Sequence, residues 1–428
     1  MVVLPALLIF QEYFAMSLLS KSRAVFAILF FTAIFCGGAW NIYSQGPRVL
    51  DGLSRTGLPR SVQDVRDACS LLQSLVNENL EGRYVAFAAY AAMQHALGKH
   101  EMNDFSVIKA GRLYRGGIPP LDTENARTLA EDVAEFAEAA GETGASVLYL
   151  NSPDTVIMGS EGTKHLPSHM PYRDYNVAAD AFLYALREKG VQYLDTRYSF
   201  FEYGVPPESI SPRTSFLLSG DAGFAVFTYL LEALEQKFDI SLDPSGQYRN
   251  RGNYAIIRYP AFFMGELGKE TGPAFSGLDD FTSFSPDFDT EFVYDSLDMF
   301  GTESRVEGSA EETLLNPDAL IYYENLYRLY PQSFYRHTNA TWTRVLNPRN
   351  PAGPKLLVIH DYYTAQVISH LAPLCGELHT LAYQENLPMS ALEYIQGKDF
   401  DLVLVSFMPQ NLVNPKMQAL VRGDAGKR

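Results

Sequence analysis

The chemistry-bearing residues of this 428-residue chain gather where apolar runs stop. Leu356, Leu357, Val358 and Ile359 give way at once to His360, Asp361, Tyr362 and Tyr363. A second run, residues 146–150, ends in Asn151, Ser152 and, past Pro153, Asp154. Asn411 stands just beyond a third, residues 402–407. Another acid, Asp221, sits at the head of an apolar helical stretch, SFLLSGDAGFAVFTYLLEALEQKF. Hydroxyls, carboxylates and amides are the groups from which acyl transfer is assembled. That chemistry needs a hydroxyl activated by a base, a carboxylate that orients the base, and donors around the developing oxyanion. Here the set is incomplete. Asp221 offers a carboxylate with no histidine near it in sequence. A phenol such as that of Tyr362 ionises only near pH 10 in water, about, and carries its oxygen several ångströms further from the main chain than serine does. His360 adjoins Asp361, yet alternation along an extended chain points neighbours to opposite sides. His165, His169 and His337 fall in loops. Polar caps on strand ends and packed core histidines are the plainer reading of the same residues.

Elements must hold these groups in place. A continuous apolar tetrad suits a strand buried on both faces. The order of strand 356–359, helix 364–374, strand 378–382 and strand 402–407 is the rhythm of a parallel sheet. Upstream, residues 61–100 read as a helical lead beginning at Pro59, Arg60 and Ser61, 125–140 as an amphipathic helix, 146–151 as the first buried strand, 180–189 as a helix and 191–195 as a strand. Open α/β sheets place ligands beyond the carboxyl ends of their strands. Asn151, Ser152, Asp361, Tyr362, Tyr363 and Asn411 are therefore expected along one edge.

These blocks resemble the SGNH-hydrolase-like domain of the DHHW proteins and their relatives, the polysaccharide O-acetylation proteins of AlgX and AlgJ type. The resemblance spans about residues 60–415 and rests on KLLVIHDYY, on GKETGP with GLDDFT, and on the order of blocks. Glu81, Gly82 and Arg83 look similar to the family's helical lead, residues 109–114 to its turn and strand, and the tyrosine-rich residues 322–335 to the segment before its final strands. Arg83 reads equally as a solvated helix charge. The resemblance implies an SGNH-hydrolase-like three-layer α/β fold with a mainly parallel sheet, and no cofactor. It also implies a triad of the serine in Asp-Ser-Tyr with the aspartate and second histidine of Asp-His-His-Trp. Asp361, Tyr362 and Tyr363 stand on Asp-Ser-Tyr, so a tyrosine replaces the nucleophile. Asp221 stands on the triad carboxylate, Ala222 and Gly223 on the two histidines, and Phe224 on the tryptophan. A shift of two residues puts Ser219, Asp221 and Ala222 on the aspartate, second histidine and tryptophan. Neither register supplies a base.

A formal net charge of −16 excludes a generic nucleic-acid binder, and 47 % apolar with 20 % charged residues describes a globular protein. Lys21 and Arg23 precede an uncharged apolar run, residues 24–40, at the short end for a membrane span. Basic residues on its amino side put the start in the cytoplasm and the rest outside. A cleaved signal peptide is the competing reading, since Cys36 is followed by Gly37, Gly38 and Ala39. Both readings export residues from 44 onward. The organisation expected is a cytoplasmic start and anchor (1–45), a helical lead (46–110) and an SGNH-like domain (111–428). With Cys36 in the anchor, Cys69 and Cys375 form either one bridge or two free thiols. Asp279, Asp280, Asp287, Asp289 and Glu291 lack the spacing of an EF-hand, and no metal is expected.

The function these features lead us to expect is that of a membrane-anchored protein of the cell envelope, in a polysaccharide O-acetylation system. It would have lost acetyl transfer and would act by binding cell-surface polysaccharide or a partner, the family pointing to a membrane-bound O-acyltransferase. Two alternatives stay open. One is an active O-acetyltransferase or acetylesterase using Ser152 or Ser219 with a displaced histidine, and the other a structural envelope protein.

Overall fold

The computed structural model describes residues 25, 36–47, 50–51, 72, 82–108, 111–116, 121–154, 169–170, 173–197, 199–298, 301–321, 325–383 and 389–423. The chain divides into two compact units, Met1–Ala89 and Tyr90–Arg428. In the first, residues 36–47 are helical; most of the apolar run 24–40 and of the helical lead lies outside the described residues. Among the described residues no helix is long and apolar enough to cross a membrane.

Helix α1 (Arg83–Ala96) is followed by three short strands, β1 (Glu101–Met102), β2 (Phe105–Val107) and β3 (Leu113–Arg115), which form a small antiparallel sheet. Then come α2 (Thr123–Glu142), β4 (Ser146–Asn151), α3 (Asn176–Glu188), β5 (Gln192–Asp195) and α4 (Gly220–Phe238). Strands β6 (Tyr254–Phe263) and β7 (Asp279–Pro286) pair only with each other, as an antiparallel ribbon. They precede β8 (Phe292–Asp298), β9 (Glu303–Gly308) and β10 (Ala340–Leu346). The chain closes with β11 (Lys355–His360), α5 (Ala365–Leu371), β12 (Glu377–Ala382), β13 (Leu402–Ser406) and α6 (Pro415–Arg422).

The large sheet has the order β5-β4-β13-β11-β12-β10-β8-β9. Its first five strands run parallel and the last three are joined antiparallel. Apolar runs become its centre because each residue finds a layer to pack on. Leu356 and Val358 join one core with α4 and α5, while Leu357 and Ile359 join the other with α2, α3 and α6. Full burial of each such side chain contributes about 1.5–3 kcal/mol. The result is a three-layer α/β/α unit. Local signals set the helix starts: Asp122 accepts from the N–H groups of Glu124 and Asn125 ahead of α2, and Ser219 accepts from Ala222 N ahead of α4.

From β11 the chain passes to β12 on one flank, and the later β13 lies on the other. The crevice beyond the carboxyl ends of β11 and β13 is thus a topological switch point. Cys375 is a buried free thiol whose Sγ donates to Leu371 O at 3.2 Å; Cys69 lies outside the described residues.

Candidate functional site

Between β11 and α5 the backbone turns through Asp361, Tyr362 and Tyr363, and Tyr362 takes a left-handed φ of 73°. A strand, a sharp turn with one left-handed residue, then a helix is how an α/β fold lifts one side chain above its sheet. Bulky residues rarely hold such a conformation without surrounding contacts that impose it.

Asp361 is buried and ties the strand ends together. Its Oδ2 accepts from Met408 N at 2.7 Å and from Asn411 Nδ2 at 2.8 Å, and its Oδ1 from Tyr363 N at 3.3 Å. Burial pushes its carboxyl above the usual range, and these donors pull it back. Tyr363 is buried as well, and its hydroxyl donates to Pro153 O at 2.9 Å, just past β4. Asn151 donates through Nδ2 to Asp195 Oδ1 at 2.9 Å. Ser152 is fully buried, and among the described residues its Oγ has no partner. The edge residues read from the sequence thus meet at the ends of β4, β11 and β13. Asn151, Ser152, Asp361 and Tyr363 lie below the surface, while Tyr362 and Asn411 are half-buried.

The positions matched to the nucleophile and base are otherwise engaged. The Tyr362 hydroxyl donates to Tyr383 O at 2.5 Å. Gly223 lies in the first turns of α4, where a β carbon would stand 2.5 Å from Gln366 Oε1. Gln366, four residues past Tyr362, holds that place by donating from Nε2 to Leu218 O at 2.8 Å. Its Oε1 is buried and has no partner among the described residues. Asp221 turns to Arg251 in a close ion pair, and the Arg251 guanidinium lies 5.0 Å from the centre of the Phe284 ring. The structure therefore brings Gly223 to α5 but leaves Asp221 in an ion pair with another residue.

Among the described residues no displaced histidine meets the candidate serines. Ser219 Oγ caps α4 and donates to Ser209 O at 2.6 Å. His360 accepts from Tyr362 N through Nδ1 at 3.2 Å, and among the described residues its Nε2 has no partner. Burial, with His337 nearby, lowers its pKa to about 3, so it stays neutral. His337 bonds Thr343 Oγ1 at 3.3 Å, His169 pairs with Glu101 at 2.7 Å, and His165 lies outside the described residues.

Three participants were not read from the sequence. Tyr383 and Gln366 are contacts of distant segments; the only hint of Gln366 is a glycine inside an apolar helix, where something presses close. Arg112 is buried and donates to Glu208 O, Ser211 O and Pro212 O at 2.9–3.2 Å. Burial lowers its pKa, with Tyr363 and Asp154 among the groups acting against that. Among the described residues no group of acids, cysteines or histidines could hold a metal ion. Asp279 instead accepts from Thr214 N at 2.8 Å and Thr214 Oγ1 at 2.6 Å, and Asp280 from Arg258 at 2.6 Å.

A mostly parallel sheet between two helical layers, with polar groups gathered at the β11 turn, is the α/β arrangement expected from the sequence. No family model matches the chain, and no curated protein does. Solved structures do. Bacillus cereus PatB1 with a sulfonyl adduct superposes with a TM-score of 0.56 at 14 % identity, over 74 % of this chain and 98 % of that one. A DHHW family protein from Eubacterium siraeum gives 0.55 at 15 % identity, over 76 % and 96 %. A second structure of PatB1 gives 0.52 at 15 %, over 72 % and 97 %. At these identities the likeness is one of fold.

Proposed function

We propose that this chain is a membrane-anchored, extracytoplasmic member of a cell-surface polysaccharide O-acetylation system that does not itself transfer acetyl. It acts by binding glycan, or a membrane-bound O-acyltransferase, at the edge formed by Tyr362 and Asn411. The observation that carries this reading is the pair of occupied positions: the Tyr362 hydroxyl is bound to Tyr383 O, and Gln366 fills the space beside Gly223. Acyl transfer needs a hydroxyl with a base beside it, and among the described residues neither Ser152 nor Ser219 has one. Anchoring rests on residues 24–40 with Lys21 and Arg23 ahead of them.

The test is acetyl-ester hydrolysis by the full chain beside a triple variant, Gly223→His, Tyr362→Ser and Gln366→Ala. The third change is needed because a side chain at 223 would collide with Gln366 Oε1. The natural chain is expected to be inert and the variant to gain turnover. Turnover by the natural chain that survives Tyr362→Phe would overturn the reading. An alkaline phosphatase reporter fused to the carboxyl terminus should be active, as it is only outside the cytoplasm.

A further inference from the structure

A second site lies at the opposite, amino end of the sheet, where β10 and β12 meet the segment leading into β13. A cavity of about 370 Å³ opens there, with Trp342, His379, Tyr394 and Phe400 among its walls. That volume suits a single small ring compound.

The polar floor is already satisfied. Trp342 Nε1 donates to the Tyr394 hydroxyl at 2.7 Å, that hydroxyl bonds His379 Nδ1, and His379 Nε2 bonds Glu377 Oε1 at 2.8 Å. A ligand gains nothing by competing for these atoms. Rim cations are different. Arg344 uses only Nε, donating to Glu377 Oε1 at 2.6 Å, and among the described residues its two terminal nitrogens have no partner. The Lys398 ammonium donates to Tyr394 O at 2.8 Å, lies 4.2 Å from the centre of the Tyr394 ring, and meets no carboxylate among the described residues. Lys355 is held by Asp399 at 2.8 Å. Among the lining residues three cations stand against two carboxylates, with Asp401 just outside accepting from Lys355 N at 2.7 Å, so the walls are rich in positive charge for a chain of −16.

We propose that this cavity binds a small cyclic carboxylate, its ring against Trp342 and its carboxylate on the end of the Arg344 guanidinium with Lys398 alongside. An open guanidinium fork matches the two oxygens of a planar carboxylate. Aromatic walls favour a flat or ring-shaped body, and one open guanidinium fork, with the rim cation Lys355 engaged by Asp399, favours a monoanion over a phosphate dianion. Sugar acids and aromatic acids share this chemistry. The site stands at the far end of β12 from the Tyr362 turn, so it does not depend on the function proposed above.

The chain has two tryptophans, Trp40 and Trp342, so the Trp40→Phe full chain reports on this cavity alone by fluorescence. Titration uses glucuronate and benzoate, with glucose and benzamide as neutral counterparts and inorganic phosphate as the competing anion. We expect at least one carboxylate to change the Trp342 emission saturably, at millimolar levels or below, with its neutral counterpart about tenfold weaker. Which acid binds assigns the source: glucuronate alone a sugar acid, benzoate alone an aromatic acid. Arg344→Lys, which keeps the charge and loses the fork, should weaken the carboxylate about tenfold and leave the neutral compound unchanged. The indole N–H resonance of Trp342 verifies that the cavity is intact in each variant. No saturable response to either acid, equal response to charged and neutral rings, tighter binding of phosphate, or indifference to Arg344→Lys in an intact cavity would each overturn the proposal.

Discussion

Tyr362 holds a left-handed backbone because its neighbours impose one: its N–H is bonded to His360, its hydroxyl to Tyr383 O, and its ring packs edge-on to His360 at 5.9 Å. Tyr362→Phe removes the hydroxyl bond alone and should cost about 1 kcal/mol in urea denaturation, the worth of one ordinary hydrogen bond. Asp361 carries more. Asp361→Ala would leave Met408 N and the Asn411 amide without their acceptor, a loss of about 2–4 kcal/mol, while Asp361→Asn keeps an acceptor and should cost less. The same denaturation series measures both. At this scale the sequence marked Asp361, Tyr363 and Asn411 as neighbours through their places after apolar runs. It could not show that Asp221 would turn to Arg251, because that contact is set by where the β6–β7 ribbon begins, thirty residues on.

The strands at the centre of the large sheet were legible for a physical reason. β4, β11 and β13 are covered on both faces and carry continuous apolar runs, while β12, ELHTLA, is marked by its place in the strand and helix rhythm. β9, ESRVEG, is largely exposed, and β6, YAIIRYPAFF, faces solvent over most of its length, so neither carries that signal. The short β1 and β2, two and three residues long, fell inside the expected helical lead, whereas β3 falls where residues 109–114 resemble a turn and strand. Element packing also separates two glycines of α4. A β carbon at Gly220 would stand 2.3 Å from Thr282 O, a backbone atom, whereas at Gly223 it meets the Gln366 side chain, with Oε1 at 2.5 Å and Cβ at 3.0 Å. Gly220→Ala should therefore destabilise by about 1–3 kcal/mol and Gly223→Ala by less, as judged by thermal melting.

Over the molecule as a whole, three buried histidines dominate the response to acid. Burial lowers the pKa of His337, His360 and His370 to about 3, with His337 adding to the effect on His360. An unfolded histidine titrates near 6.5, approximately, so below that pH the unfolded chain binds protons that the folded chain does not. Stability falls as pH drops from 7 to 5, by about 2 kcal/mol for each histidine at pH 5. Asp361, raised by burial, acts in the opposite sense, its contribution being lost as pH rises. The urea midpoint should decline over this range, and His370→Phe should flatten the decline. The β6–β7 ribbon has its own consequence for handling the protein. Ile256 and Ile257 are exposed on a strand whose outer edge is unpaired among the described residues, a template on which a second chain could add a strand. Arg258, salted to Asp280, and Pro260 sit next to them as charge and kink against such growth. Neutralising Arg258 should therefore lower the concentration at which this protein stays in solution before it alters its fold.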